Sequence, residues 1–168
     1  STKVAIFKGE KNILQKNLSH SAEEVSKYEK ITDQYEYRQK MILDWLKESD
    51  VSTGSLAAVV GRGGLLKPMP GGTYIVTDGI INDLRNAVQG EHASNLGAII
   101  AKGIADSEGI PAYIVDPVAT DEMDDIARIS GMPELERPAL VHALNIKAVG
   151  RRAAKDMGKE FTDVDFVI

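Results

Sequence analysis

Cysteine is absent from the 168 residues, which removes disulfides, thiolate metal sites and a cysteine nucleophile together. Histidine is scarce, and His20, His92 and His142 lie too far apart in sequence to make a local zinc motif. Basic residues are outnumbered, 20 Lys+Arg against 25 Asp+Glu for a net charge of −5, so no cationic excess exists to neutralise a nucleic-acid backbone. No apolar run approaches the roughly 20 residues that span a bilayer, and the opening Ser1-Thr2-Lys3-Val4 has no apolar signal segment. What is present, 43% hydrophobic and 27% charged residues, is the balance of a folded domain. The length suits one domain with a real core. A soluble cytoplasmic protein without nucleic-acid or membrane partners is the expectation.

Strand-like and helix-like patterns alternate along the chain. Segments 4–7 and 13–18, separated by Lys8-Gly9-Glu10-Lys11, read as a hairpin. The stretch 21–49 reads as helix: Ser21 and Glu24 have capping-box spacing, and Tyr37, Met41, Ile42, Trp45 and Leu46 follow a helical period. A buried strand is expected over 56–60. The glycine- and proline-rich stretch 61–72 is expected to be neither helix nor central strand. A short strand over 73–77, helices over 80–88 and 92–107, a strand over 111–117 and a long helix over 139–157 follow. The second of those helices is rich in small residues, which lets it lie close to a sheet. The chain opens without Met and closes in the apolar, strand-like run 164–168, so it reads as a piece of a longer protein. The order predicts an α/β fold with both faces of its sheet covered.

Chemistry in such sheets gathers at the carboxyl ends of strands. Arg62 stands just beyond 56–60 between Gly61, Gly63 and Gly64, where a guanidinium and backbone N–H groups could meet an anion together; the plainer reading is a solvated turn residue. Asp116 ends the 111–115 strand and suits a Mg²⁺ or arginine partner, or else a turn cap. His142, near the start of the last helix, points toward a place where anions bind, or is structural. His92 and Asn95 mark another helix start, with Glu91 interacting with the helix dipole. His20, between two serines, receives no role. The acidic run 121–125 lacks calcium-loop spacing and reads as a solvated helix start. Neither the dinucleotide fingerprint nor a Walker loop is present, because Leu66 stands where a third glycine belongs and no Gly-Lys-Ser/Thr follows. The residues alone say an anion-binding α/β protein.

The motifs Val59-Val60-Gly61-Arg62-Gly63-Gly64-Leu65-Leu66, Gly90-Glu91-His92-Ala93-Ser94-Asn95-Leu96-Gly97, Ile114-Val115-Asp116-Pro117, Ala127-Arg128-Ile129-Ser130-Gly131 and Val141-His142-Ala143-Leu144-Asn145, then Lys147 to Arg152, closely resemble the butyrate kinases. That family is part of the acetate kinase group in the sugar kinase, heat-shock 70 and actin superfamily. The resemblance runs the length of the chain in the same motif order. It implies a ribonuclease-H-like domain with a mixed sheet and helices on both faces, residues 1–163 forming the amino-terminal domain and 164–168 the first strand of an absent carboxy-terminal one. It also implies that a first, central strand and most of a phosphate loop precede Ser1-Thr2-Lys3, so that their absence leaves a gap in the sheet. One departure is Ile146, where a polar residue is expected.

By resemblance, Arg62 binds the substrate carboxylate and steadies the transferring phosphoryl group, and His142 stabilises the transition state. Asp116 positions the arginines and assists with Mg²⁺ indirectly, while Gly63, Gly64, His92 and Asn95 line the substrate site. The implied reaction is phosphorylation of butyrate, or a short branched analogue, by ATP with Mg²⁺ to an acyl phosphate, in a homo-oligomer whose isolated fragment is inactive. Acetate or propionate as substrate, and a noncatalytic module on the same fold, are the alternatives.

Overall fold

The computed structural model describes residues 1–164. The strand expected over 164–168 thus lies outside the described residues, save that Val164 follows a 3-10 turn, Phe161–Asp163. Strands β1 (Thr2–Lys8) and β2 (Lys11–Leu18) form the expected antiparallel hairpin about Gly9, whose φ of +60° suits a residue without Cβ. Val4, Ile6 and Leu14 turn to one side and pack on a helix; the other side is exposed and mixes polar residues with the apolar Phe7 and Ile13.

The helix expected over 21–49 is broken. It becomes α1 (Ala22–Val25), a 3-10 turn Ile31–Gln34 and α2 (Tyr35–Glu48). The Ser21 hydroxyl does accept the Glu24 amide at 3.1 Å, but α1 buries no side chain. The Ser26 hydroxyl then donates back to the Glu23 carbonyl at 2.8 Å, the local competition by which serine ends helices. Only α2 has an apolar face to anchor it, through Ile42, Trp45 and Leu46.

Next come β3 (Val59–Arg62), β4 (Thr73–Ile75), α3 (Asp78–Arg85), α4 (Asn95–Glu108), β5 (Ala112–Val115) and α5 (Ala143–Asp156). The three strands make a mixed sheet in the order β3-β5-β4, β5 running parallel to β3 and antiparallel to β4. Here β3 begins later than expected and takes in Gly61 and Arg62, which were expected in a loop. Those residues are held in register by Ile114 and Val115 of β5. The small residues of α4 do what their size permits: Ala98, Ala101 and Ala105 are buried against the sheet. The helix ends at Gly109 in the left-handed conformation, φ +65°.

Two expectations about the sheet are corrected or qualified. Packing onto the three strands comes from the face of Val59, Tyr74, Ala112 and Ile114, where α4 lies. On the opposite face Val60 is 60% and Ile75 57% exposed, so among the described residues helices do not cover both faces. The hairpin and the three-stranded sheet are separate: among the described residues β1 pairs with β2 and β3 with β5, although Val4, Ile6 and Val59 rest on one apolar cluster with Trp45, Leu96 and Ile100. Among the described residues no helix is long and apolar enough to cross a membrane.

Candidate functional site

Parallel pairing of β3 with β5 sets Arg62 opposite Val115, so Arg62 and Asp116 leave the sheet at the same end, the carboxyl end where ligands gather in α/β proteins. The Arg62 Nη2 lies 3.8 Å from Asp116 Oδ2; the arginine side chain is 54% exposed and the aspartate 8%. This is a loose ion pair, and it leaves the guanidinium free to turn toward a ligand.

Asp116 has φ +53°, an unusual conformation for a residue other than glycine and one that Asp tolerates better than most. The turn it makes before Pro117 aims the carboxylate at the start of α5. There Oδ1 accepts the Leu144 amide at 3.0 Å and Oδ2 the Asn145 amide at 3.2 Å, which caps a helix whose own N-cap residue, His142, makes no side-chain cap. The Asp116 carbonyl accepts a hydrogen bond from His142 Nδ1 at 3.0 Å. A carbonyl can only accept, so Nδ1 carries the proton and Nε2 is left for a ligand, as acceptor when the ring is neutral and as donor when it is protonated. Arg62, Asp116 and His142, which are 54 and 26 residues apart in sequence, are thereby brought to one place.

The other predicted residues lie beside this trio and serve it differently. Gly63 and Gly64 are buried. A Cβ on Gly63 would stand 2.6 Å from the Pro117 Cβ, and one on Gly64 2.4 Å from Asn95 Oδ1. Their lack of a side chain therefore serves close packing. Asn95 is 0% exposed. Its Oδ1 accepts the Leu65 amide at 2.8 Å and its Nδ2 donates to the Gly90 carbonyl at 3.0 Å, so no surface of Asn95 is offered to a substrate. His92 is exposed on the turn before α4, with Nδ1 accepting the Ser94 amide at 3.2 Å. Glu91, instead of acting on the helix dipole alone, accepts the Ile31 amide at 2.6 Å and ties this turn to the one before α2.

Metal chemistry has less support here. Among the described residues no three His, Cys, Asp or Glu side chains gather to hold an ion. Both Asp116 oxygens already accept α5 amides, so the residue fits the placing of Arg62 and His142 better than direct ligation of Mg²⁺. In the acidic run 121–125, Asp121 takes a bidentate hydrogen bond from Arg128 at 2.9 and 3.0 Å, and that partner holds its carboxyl below the usual range. The run leads into a 3-10 turn, Asp125–Arg128, in place of a solvated helix start.

A second polar cluster escaped the sequence reading. Arg38 of α2 is buried without a carboxylate partner among the described residues; Nη1 donates to the Thr2 hydroxyl at 3.0 Å, and Nε and Nη2 donate to Gln34 Oε1. The same hydroxyl meets His20 Nε2 at 2.8 Å. Having accepted from Arg38, Thr2 can donate to that nitrogen, so His20 is held neutral. Burial first, then the Arg38 charge, then the amino terminus, lower its pKa to about 4. A charged residue on the buried face of a helix breaks the apolar period, and that break at position 38 was the available signal.

No family model matches the chain. Its sequence is 54% identical over all 168 residues to Butyrate kinase 1 of Clostridium acetobutylicum and 52% identical over 168 residues to Butyrate kinase 2 of the same organism. The aligned part is the amino-terminal part of those proteins. The chain spans about half, 47%, of the length of these curated relatives. The likeness seen in the motifs thus holds from one end of the chain to the other.

Proposed function

We propose that this chain is the amino-terminal half of a butyrate kinase, which moves the terminal phosphoryl group of ATP onto a short carboxylate. The observation that carries the reading is the meeting of Arg62, Asp116 and His142 at the open end of β3 and β5, in a chain more than half identical to kinases of that name. The ribonuclease-H-like assignment, with a boundary near residue 163 and a second domain beyond it, is part of the same proposal. So is the first, central strand that the resemblance implies. The exposed apolar residues Ile126, Ile129, Leu135 and Val149 give the remaining half of the protein a surface to cover.

A carboxylate is already charged, so attack on the phosphoryl group needs no strong base. One carboxylate oxygen forms the new P–O bond while the bond to the bridging oxygen breaks, and that electron pair leaves with ADP. The obstacles are repulsion between anions and the charge on the equatorial phosphoryl oxygens. Arg62 supplies a fork of donors and a positive charge. His142, its Nδ1 fixed on the Asp116 carbonyl, can offer Nε2–H once protonated. Asp116 sets both without leaving a free negative charge to repel the substrate, because α5 amides and Arg62 share its carboxylate. A Mg²⁺ bound with ATP would shield the nucleotide phosphates, and Asp116 would assist it only indirectly, by placing Arg62 and His142. Chain length of the acid is set by pocket walls, and one methylene is worth only about 1–3 kcal/mol.

Arg62→Ala in the full-length protein should lower acyl phosphate formation by about 10²–10³-fold, the usual cost of losing a transition-state donor. The melting temperature should stay unchanged. Near-normal turnover in that variant refutes the assignment.

A further inference from the structure

A fully buried, uncharged polar side chain calls for a reason, and Asn95 has one that a substrate contact does not supply. We infer that Asn95 is a positioning residue, a latch that acts on phosphoryl transfer only through the placement of Arg62. The inference rests on the role proposed for Arg62 and adds the group that sets it. Three segments converge on the Asn95 amide. Its Oδ1 takes the Leu65 N–H, three residues past Arg62, while its Nδ2 donates to Gly90 in the turn before α4 and, at 3.5 Å, to Leu84 of α3.

The backbone at Arg62 is also held from behind. A Cβ on Gly97, two residues along α4, would stand 2.3 Å from the Arg62 carbonyl oxygen, and one on Gly61 would stand 2.4 Å from the Gly97 carbonyl oxygen. Thus β3 lies directly on the first turn of α4, and the loop that leaves β3 is hydrogen-bonded to the residue that begins that helix. The Arg62 side chain has one ionic partner among the described residues, the loose 3.8 Å approach to Asp116. Its aim is therefore decided by the backbone that carries it, and Asn95 decides where that backbone runs. Removing the amide leaves a part-buried Leu65 N–H without its partner and frees the loop; it takes nothing away from an incoming ligand directly.

The test is a double-mutant cycle in the full-length protein, with acyl phosphate trapped as hydroxamate. Asn95→Ala should lower kcat by about 10–100-fold, the scale of a misplacement near 1 Å, with KM for ATP within about twofold. In an Arg62→Ala background the same change should cost no more than about twofold further, since its effect runs through a side chain already gone. Equal losses in the two backgrounds would overturn the inference. Amide exchange gives a readout that needs no turnover: Asn95→Ala should speed exchange at Leu65 by about tenfold or more and leave Ile114 unchanged. An unaltered Leu65 also overturns it. A wild-type protein that makes no acyl phosphate sinks the kinase reading instead, and the exchange result then judges the latch by itself. Should Asn95→Ala not fold, Gly64→Ala presses on Asn95 Oδ1 from the loop side and should show the same non-additivity with Arg62→Ala.

Discussion

At residue 116 one backbone conformation serves three partners. With φ at +53° the Asp116 carboxylate caps α5, its carbonyl orients His142, and its outer oxygen faces Arg62. An extended residue at the strand end would send the carboxylate elsewhere, so the trio depends on a strained position of the kind functional sites retain. His20 shows residue chemistry of another sort. Its pKa falls from 6.5 in the open chain to about 4 in the fold. Between those values the unfolded chain holds a proton that the folded one does not, so stability rises with pH across that window. The stabilisation is whole above pH 6.5 and is lost as pH falls toward 4. The amount is at most about 3 kcal/mol, and less by the solvent screening of a partly exposed ring. Urea unfolding at pH 7 and pH 5 should show the loss, and His20→Gln should flatten it.

The element that most shapes the site is α4, because its first turn touches the β3 backbone without an intervening side chain. Gly97→Ala should therefore destabilise the fold by about 1–3 kcal/mol, as overpacking does in a dense interior. Gly131→Ala, where an added Cβ meets nothing within 4 Å, should stay within about 0.5 kcal/mol. Comparing their denaturant midpoints with the wild type checks both. The contrast between α1 and α2 follows similar logic. Capping chemistry at Ser21 starts a helix, but four residues with no buried face do not sustain one, whereas α2 is held by Trp45 and Leu46. On α5, Ile146 and Val149 are exposed along one face, with Met157 exposed just past the helix end. The expectation of a polar residue at 146 thus meets an uncovered apolar stripe, whose burial in the proposed longer protein would account for the isoleucine.

As a whole molecule the chain carries one wall of a site that, on the proposed reading, needs a second half to close over it. The isolated 168 residues should form no acyl phosphate above background in a hydroxamate assay, and measurable turnover would contradict the two-part reading. Much of this was legible in the letters. Periodicity and turn residues identified the hairpin, α2, α3, α4 and β5, because local apolar spacing and glycine chemistry depend on near neighbours. The resemblance pointed to Arg62, Asp116 and His142 as partners. What the letters could not say concerned contacts between distant segments. Gly63 and Gly64 read as lining the substrate site; only the fold shows that Pro117 and Asn95 pack against them. Asn95 read as a substrate contact; the fold buries its side chain and hydrogen-bonds it to Leu65 and Gly90. The pairing of Arg38 with Thr2 is formed only when β1 meets α2, although Gln34 lies one turn away in sequence. Sequence by itself settled the alternation of elements and the candidate chemistry, since both are written in residue type and spacing. Tertiary structure alone decided which of those residues face outward, because exposure depends on what the rest of the chain has already covered.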